Sequence, residues 1–271
     1  MLSKFDNKVA VMTGAANGIR GALAKGFTQQ GMRVVVADPA SISYFTPRTL
    51  MDNVEVVVVA PAENQSASSD KTTEGELVFE DSATTSGYLG TAVYGFPADA
   101  VNVALKQLEI TPNLVVSGVN SGHNVGPIAP ISGTVGAAQI AARAGFPAVA
   151  VSAGLTSDTD FDAAAELVIA WIENNRAALG DNSARADIVT SFNIPNCTQG
   201  NIRGLVEVPR ADAYPAGTPN IFFTDCSVEP DRPPTSDLDA IIKGFASQTE
   251  LPLDFQSSGI SRAAEGSALL T

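Results

Sequence analysis

Short apolar runs bounded by turn residues alternate with helical patterns along most of this chain, and that alternation constrains the fold more than any other feature. Lys8–Gly14 (KVAVMTG), Met32–Ala37, Val54–Ala60 (VEVVVVA), Leu114–Ser117 and Ala148–Ser152 are apolar on consecutive residues. They read as strands covered on both faces, as in parallel sheets. Between them, Asn17–Gln30 repeats Ile19, Leu23 and Phe27 at helical spacing and is closed by Gly31, as a C-terminal glycine closes a helix. Helical spacing also predicts Thr134–Ala144 and Phe161–Asn174, the latter with Asp160 as its cap. The predicted class is α/β: a Rossmann-like, doubly wound, mostly parallel sheet. Beyond Ala184 the runs shorten to Asp187–Asn193, Gly204–Val208 and Asn220–Thr224. They predict a smaller, irregular, β-rich C-terminal part, with Asp239–Ser247 as a helix or an extended arm and a loose tail from about Ser257.

Composition narrows the partners. Apolar residues make up 45% of the chain and charged ones 17%, enough apolar material for a large core and too little charge for disorder. A net charge of −13 repels nucleic acid polymers and anionic membranes, and no apolar run reaches the roughly 20 residues that cross a bilayer. The polar start, Met1–Lys8, shows no secretory pattern, and the chain reads as cytoplasmic. Its two cysteines, Cys197 and Cys226, either pair or stay as buried thiols. A phosphate ester would meet the same repulsive field, so its site needs a cation or aimed backbone N–H groups.

Thr13-Gly14-Ala15-Ala16-Asn17-Gly18-Ile19 follows one predicted strand and opens a helix, and Asp38 ends the next strand. Glycines there let a backbone approach a pyrophosphate, and the acid can accept from a ribose hydroxyl. The stretch resembles the opening of short-chain dehydrogenases, which implies NAD binding through Gly14, Gly18 and Asp38. The pattern's last glycine falls on Arg20, and no tyrosine here has lysine four residues on, so the proton-transfer pair of that family is missing. A nucleotide-type element that binds nothing is the plainer reading.

Four later stretches, in order, carry a second resemblance. They are Val56–Ser66 (VVVVAPAENQS), Gly95-Phe96-Pro97-Ala98-Asp99, Ser117–Gly126 (SGVNSGHNVG) and Ser132–Ala138 (SGTVGAA), followed by Asn193-Ile194-Pro195 and Gly244-Phe245-Ala246. From about Val54 to Phe255 the chain resembles SurE (survival protein E) phosphatases. The resemblance implies hydrolysis of phosphomonoesters, above all nucleoside monophosphates, with a divalent metal (Mg, Mn or Ca), in a homodimer or homotetramer built through a C-terminal arm, here Ala211–Phe245. The residues suit that chemistry on their own terms. Ser132, Gly133 and Thr134 stand where a helix begins and offer backbone N–H groups and hydroxyls to a phosphate. Asn120 stands at the carboxyl end of a core strand, where ligands bind in such sheets, and its amide oxygen is a hard ligand. By resemblance Ser66 and Asn120 hold the metal and Asn120 serves catalysis. The lesser alternative for Ser132–Thr134 is an ordinary helix cap, and His123, the single histidine, reads as a satisfied or solvent-facing side chain.

The family's opening strand ends in Asn-Asp-Asp-Gly, and no such pair stands in this sequence. If Lys8–Gly14 takes that strand's place, its tip carries no carboxylate. If Met32–Ala37 takes it, Asp38 becomes the one carboxylate and serves as metal ligand and catalytic group. The expected organisation is a βαβ opening over residues 1–53 on the same sheet, a phosphatase body over 54–257 and a tail over 258–271. Without the aspartate pair, an impaired phosphomonoesterase and a non-catalytic nucleotide- or phosphate-binding protein are the two main expectations.

Overall fold

The computed structural model describes residues 8–13, 32–37, 55–83, 89–154 and 161–254. The predicted runs form strands: β1 (Lys8–Thr13), β2 (Met32–Ala37), β3 (Glu55–Pro61), β4 (Phe79–Ala83), β5 (Leu89–Val93), β6 (Leu114–Ser121), β7 (Ala148–Ala153) and β8 (Ile188–Ile194). Downstream lie β9 (Cys197–Gln199), β10 (Leu205–Glu207), β11 (Thr224–Asp225) and β12 (Ala246–Pro252). The main sheet runs β10-β12-β8-β7-β6-β1-β2-β3-β5-β4, with further pairings of β6 to β2 and β1 to β3. Among the described residues every pairing in it is parallel except β12 with β8 and β4 with β5.

The consecutive apolar residues follow from burial on both faces. In β6, Leu114 and Val116 point into one core and Val115 into the other. On one face lies α3 (Phe161–Asn174), whose Ala164, Val168 and Ile172 meet Phe192 of β8, with Trp171 edge-on to Phe192 at 6.0 Å. On the other lie α1 (Pro97–Asn102) and α2 (Gly133–Arg143), which contribute Val101, Ala137, Ala138 and Ala141. Alanines on α2 let it sit close to the sheet. Two short helices, α4 (Arg176–Gly180) and α5 (Asp237–Ile242), complete the set.

Three expectations are corrected. The sequence suggests a short strand at Glu76–Phe79; of these residues only Phe79 is strand, and it opens β4, which pairs antiparallel with β5 at one sheet edge. The sequence also suggests a long glycine-rich loop over Gly118–Gly133; β6 continues as far as Ser121, and Gly126–Ile131 is a 3-10 turn. Asn220–Thr224 yields only the two-residue β11, while the stretch after α5 becomes β12, a full strand of the main sheet. The predicted helix over Asn17–Gln30, the Asp160 cap and the tail lie outside the described residues.

The C-terminal part clamps the segment after β6. Val125, Ala211, Ile221, Leu238 and Ile241 make a third small core. Beneath it Asp237, 1% exposed, accepts from the backbone N–H groups of Gly126, Ala211 and Leu238. Burial raises the Asp237 carboxyl above its ordinary value, opposed by those three donors and by Arg210. Burial, helped by Asp237, pushes the nearby Tyr214 up to about 12, and its hydroxyl donates to the Val125 carbonyl at 3.0 Å. The two cysteines are joined in a disulfide, Cys197–Cys226, which ties β9 to β11. Such bonds persist in oxidising surroundings.

Candidate active site

Two loops and one helix start converge at the carboxyl ends of β3 and β6. The loop after β3 is pinned to α2. Ser69 donates from its backbone N–H to the Ile131 carbonyl and from its hydroxyl to the Pro130 carbonyl, and Asp70 pairs with Arg143 at 2.8 Å. The sequence permits this approach because α2 carries Gly136 under the loop: a Cβ there would collide with the Ser69 carbonyl. Further along, Asp99 of α1, 1% exposed, accepts from Thr73 N–H and hydroxyl and from Phe96 N–H. Asp99 therefore works as a structural hub that fixes the same loop.

β6 reaches the site through a bulge. Ser117 faces Ala150 but Asn120 faces Ser152, so β6 carries one extra residue across Gly118 and Val119; the peptide between those two is cis. A bulge re-aims the side chains after it. Asn120 Nδ2 donates to the Gly122 carbonyl at 2.6 Å, which leaves Oδ1 as the acceptor. Below, Asn193 Oδ1 accepts from Asn124 N–H at 2.7 Å, and Asn124 Nδ2 donates to Ser152 Oγ at 2.6 Å. Asn193 is fully buried and Asn124 nearly so. These amides hold the turn after β6 on β7 and β8. Sequence reasoning quoted Asn193 and Asn124 within its motifs and gave neither this role.

Ser132 is the N-cap of α2, its hydroxyl accepting from Val135 N–H at 3.2 Å. The cap reading and the phosphate reading are compatible, because the N–H groups of Gly133 and Thr134 belong to the first turn, which has no intrahelical partners. Ser66 donates its hydroxyl to Asn64 Oδ1 at 2.7 Å. Ser66, Asn120, Ser132, Gly133 and Thr134 line one cavity of about 260 Å³, together with His123, Asn124, Ile128, Ile131 and Phe222. Thus five of the sequence-predicted site residues meet in one place.

Asp38, Gly14 and Gly18 lie outside the described residues. The strands that precede Gly14 and Asp38 end level with each other: Thr13 and Ala37 both stand opposite Ser117. His123 is 3% exposed, with Nε2 at 2.7 Å from the Ile194 carbonyl, and burial lowers its pKa to about 4. At neutral pH it is an uncharged, structural imidazole.

A metal fits this donor set only in part. Asn120 Oδ1 and Ser66 Oγ are hard, neutral oxygens of the kind Mg²⁺, Mn²⁺ and Ca²⁺ accept. Among the described residues there is no cluster of three or more His, Cys, Asp or Glu that could hold an ion, so the anionic share is not among them.

A doubly wound sheet with its pocket beyond the carboxyl ends of central strands defines a ligand-binding α/β protein of the Rossmann-like type. The chain belongs to the SurE family: the family model "Survival protein SurE" matches residues 40–213. It is similar to the 5'-nucleotidase SurE of Pseudoalteromonas atlantica, 31% identical over 218 residues that cover 76% of this chain and 85% of that one. The 5'-nucleotidase SurE of Syntrophobacter fumaroxidans is 32% identical over 217 residues, 76% and 85% of the two chains. The crystal structure of the SurE protein from Aquifex aeolicus shares the fold at a TM-score of 0.63 and 22% identity, across 95% of this chain and 97% of that one. That span takes in most of the opening, and the family match starts at residue 40, ahead of the boundary near Val54 expected from the motifs. The short-chain-dehydrogenase likeness of the first residues gains no support from these relatives.

Proposed function

We propose that this chain is a divalent-metal-dependent phosphomonoesterase acting on nucleoside monophosphates. The observation that carries the proposal is the single cavity that gathers Ser66, Asn120 and the start of α2 at the carboxyl edge of the sheet. Relatives named 5'-nucleotidase SurE support the substrate class. In this reading the N–H groups of Gly133 and Thr134 and the Thr134 hydroxyl bind the phosphoryl oxygens. The Ser132 cap holds that helix turn in place. Asn120 Oδ1 and Ser66 Oγ would hold the cation, with Asp38 as the carboxylate the chain supplies directly after β2. When bound, the cation would polarise the phosphoryl group and lower the pKa of a bound water. In this reading Asn120 and Asp38 would be the catalytic residues, as the two groups that would hold the metal at the reacting phosphate.

A second reading follows from the neutral donors: a protein that binds nucleotides without turning them over. Asp38→Asn separates the two. On the first reading it raises the metal concentration needed for half-maximal phosphate release by about 10- to 100-fold; wild-type protein that releases no phosphate in any metal leaves the second. The proposal also takes residues 1–53 as an opening unit of the same sheet, whose β1 and β2 lie between β6 and β3 and not at an edge, 54–257 as the phosphatase body and 258–271 as a tail, with Ala211–Phe245 as the arm of a homodimer or homotetramer. Among the described residues no helix is long and apolar enough to cross a membrane. A cytoplasmic protein would hold Cys197 and Cys226 as thiols; an oxidising compartment would keep them paired.

A further inference from the structure

We infer that Phe222 selects nucleoside esters over other phosphate esters at this site, because its ring is the apolar wall on which a base stacks. The inference rests on the nucleotidase reading and deepens it. The cavity has two chemically different sides. Asn120 and the start of α2 are polar, whereas Ile128, Ile131 and Phe222 are apolar. Besides the buried imidazole of His123, Phe222 is the only aromatic side chain lining the cavity among the described residues, and it is half-buried, so part of the ring meets the cavity. Ile131 beside it is 42% exposed.

The place of this ring is built by its neighbours. Ile221, 7% exposed, lies inside the third core, and Phe222 packs against that core from its edge. Phe222 donates its N–H to Asn220 Oδ1 at 2.9 Å. Two residues on, Thr224 N–H donates to the Asn196 carbonyl and Thr224 Oγ1 to the Ile241 carbonyl, and Cys226 is bonded to Cys197. The segment is therefore fixed on both sides of Phe222, just beyond the end of β8. A rigid, partly wet aromatic face opposite a phosphate cradle suits an ester whose leaving group is flat and apolar. Stacking of a base on such a ring contributes about 1–3 kcal/mol. In a chain of net charge −13, that contribution helps to offset the repulsion an anionic substrate meets.

The test is titration calorimetry with magnesium present, using adenosine monophosphate and glycerol phosphate against wild type, Phe222→Leu and Phe222→Trp. The expected result is at least about tenfold tighter binding of the nucleotide by wild type. Phe222→Leu should lose that preference with its glycerol phosphate affinity unchanged, and Phe222→Trp should keep it. Equal affinity for the two esters in wild type, including no measurable binding of either at millimolar concentration, overturns the inference. So does a leucine variant that weakens both esters alike, and the tryptophan variant keeps the inference open to refutation if leucine impairs folding. Phosphate release measured on the same samples reads the hydrolytic proposal separately. Preference without release removes that proposal alone, and release without preference removes this inference alone.

Discussion

The two sides of the cavity are assembled in different ways. The polar side is local: Ser132, Gly133 and Thr134 are consecutive, and the helix they open supplies its free N–H groups through backbone geometry alone. The apolar side is remote: Phe222 arrives about ninety residues later, carried by a disulfide-tied ribbon and a small core of its own. On the proposed reading, phosphate recognition rests on a helix start at the end of a sheet, and recognition of what the phosphate is attached to rests on the C-terminal appendage. The two should fail separately.

The largest expected effect falls on the polar side. Asn120→Ala should lower kcat/KM for any phosphomonoester by about 100-fold or more while the melting temperature stays within a degree or two. An equal loss of stability would show that Asn120 mainly holds its own turn through Gly122. On the apolar side, replacing Cys197 and Cys226 together by serine opens a loop of 29 residues and should cost about 3–4 kcal/mol, read by denaturant unfolding. Nucleotide preference should decline in that variant before phosphate binding does; a loss of both together would merge the two sides into one unit.

His123 lies between the two sides and gives a pH dependence. Its folded pKa is near 4 and the unfolded value near 6.5, so the unfolded chain takes up the proton first as pH falls. Its contribution is complete above about pH 6.5 and declines as pH falls to about 4, by about 3 kcal/mol. His123→Gln, which can still donate to the Ile194 carbonyl, should flatten that slope in unfolding curves; an unchanged slope would assign it to carboxylates. The smallest effect is Ser132→Ala, about 1 kcal/mol of stability for the lost cap, with a modest rise in KM for nucleotide and glycerol esters alike. A rise for the nucleotide only would mean that the sides are coupled.

This contrast also explains what the sequence made legible. The strands β1, β2, β3, β6 and β7 and the helices α2 and α3 could be read because each is set by its own apolar spacing. The cradle could be read because its residues are neighbours. The β4–β5 hairpin could not, since β4 is almost wholly exposed and lacks the apolar alternation of a half-buried strand. β12 escaped because ASQTELP is polar in composition and is placed by its ladder to β8. Phe222 escaped for the same reason: nothing in Ile221-Phe222-Phe223 says which side chain faces the core, which the water and which the cavity. Asp99 stands in a quoted motif with no role attached, and its four hydrogen bonds from Thr73 and Phe96 make it a loop anchor.

The most direct test of the central claim is phosphate release from adenosine monophosphate, measured in Mg²⁺ or Mn²⁺, then in chelator, then with metal restored. Turnover that stops in chelator, returns with metal and is absent in Asn120→Ala is the predicted result. Absence of turnover in every metal, or turnover that chelator leaves untouched, would contradict it.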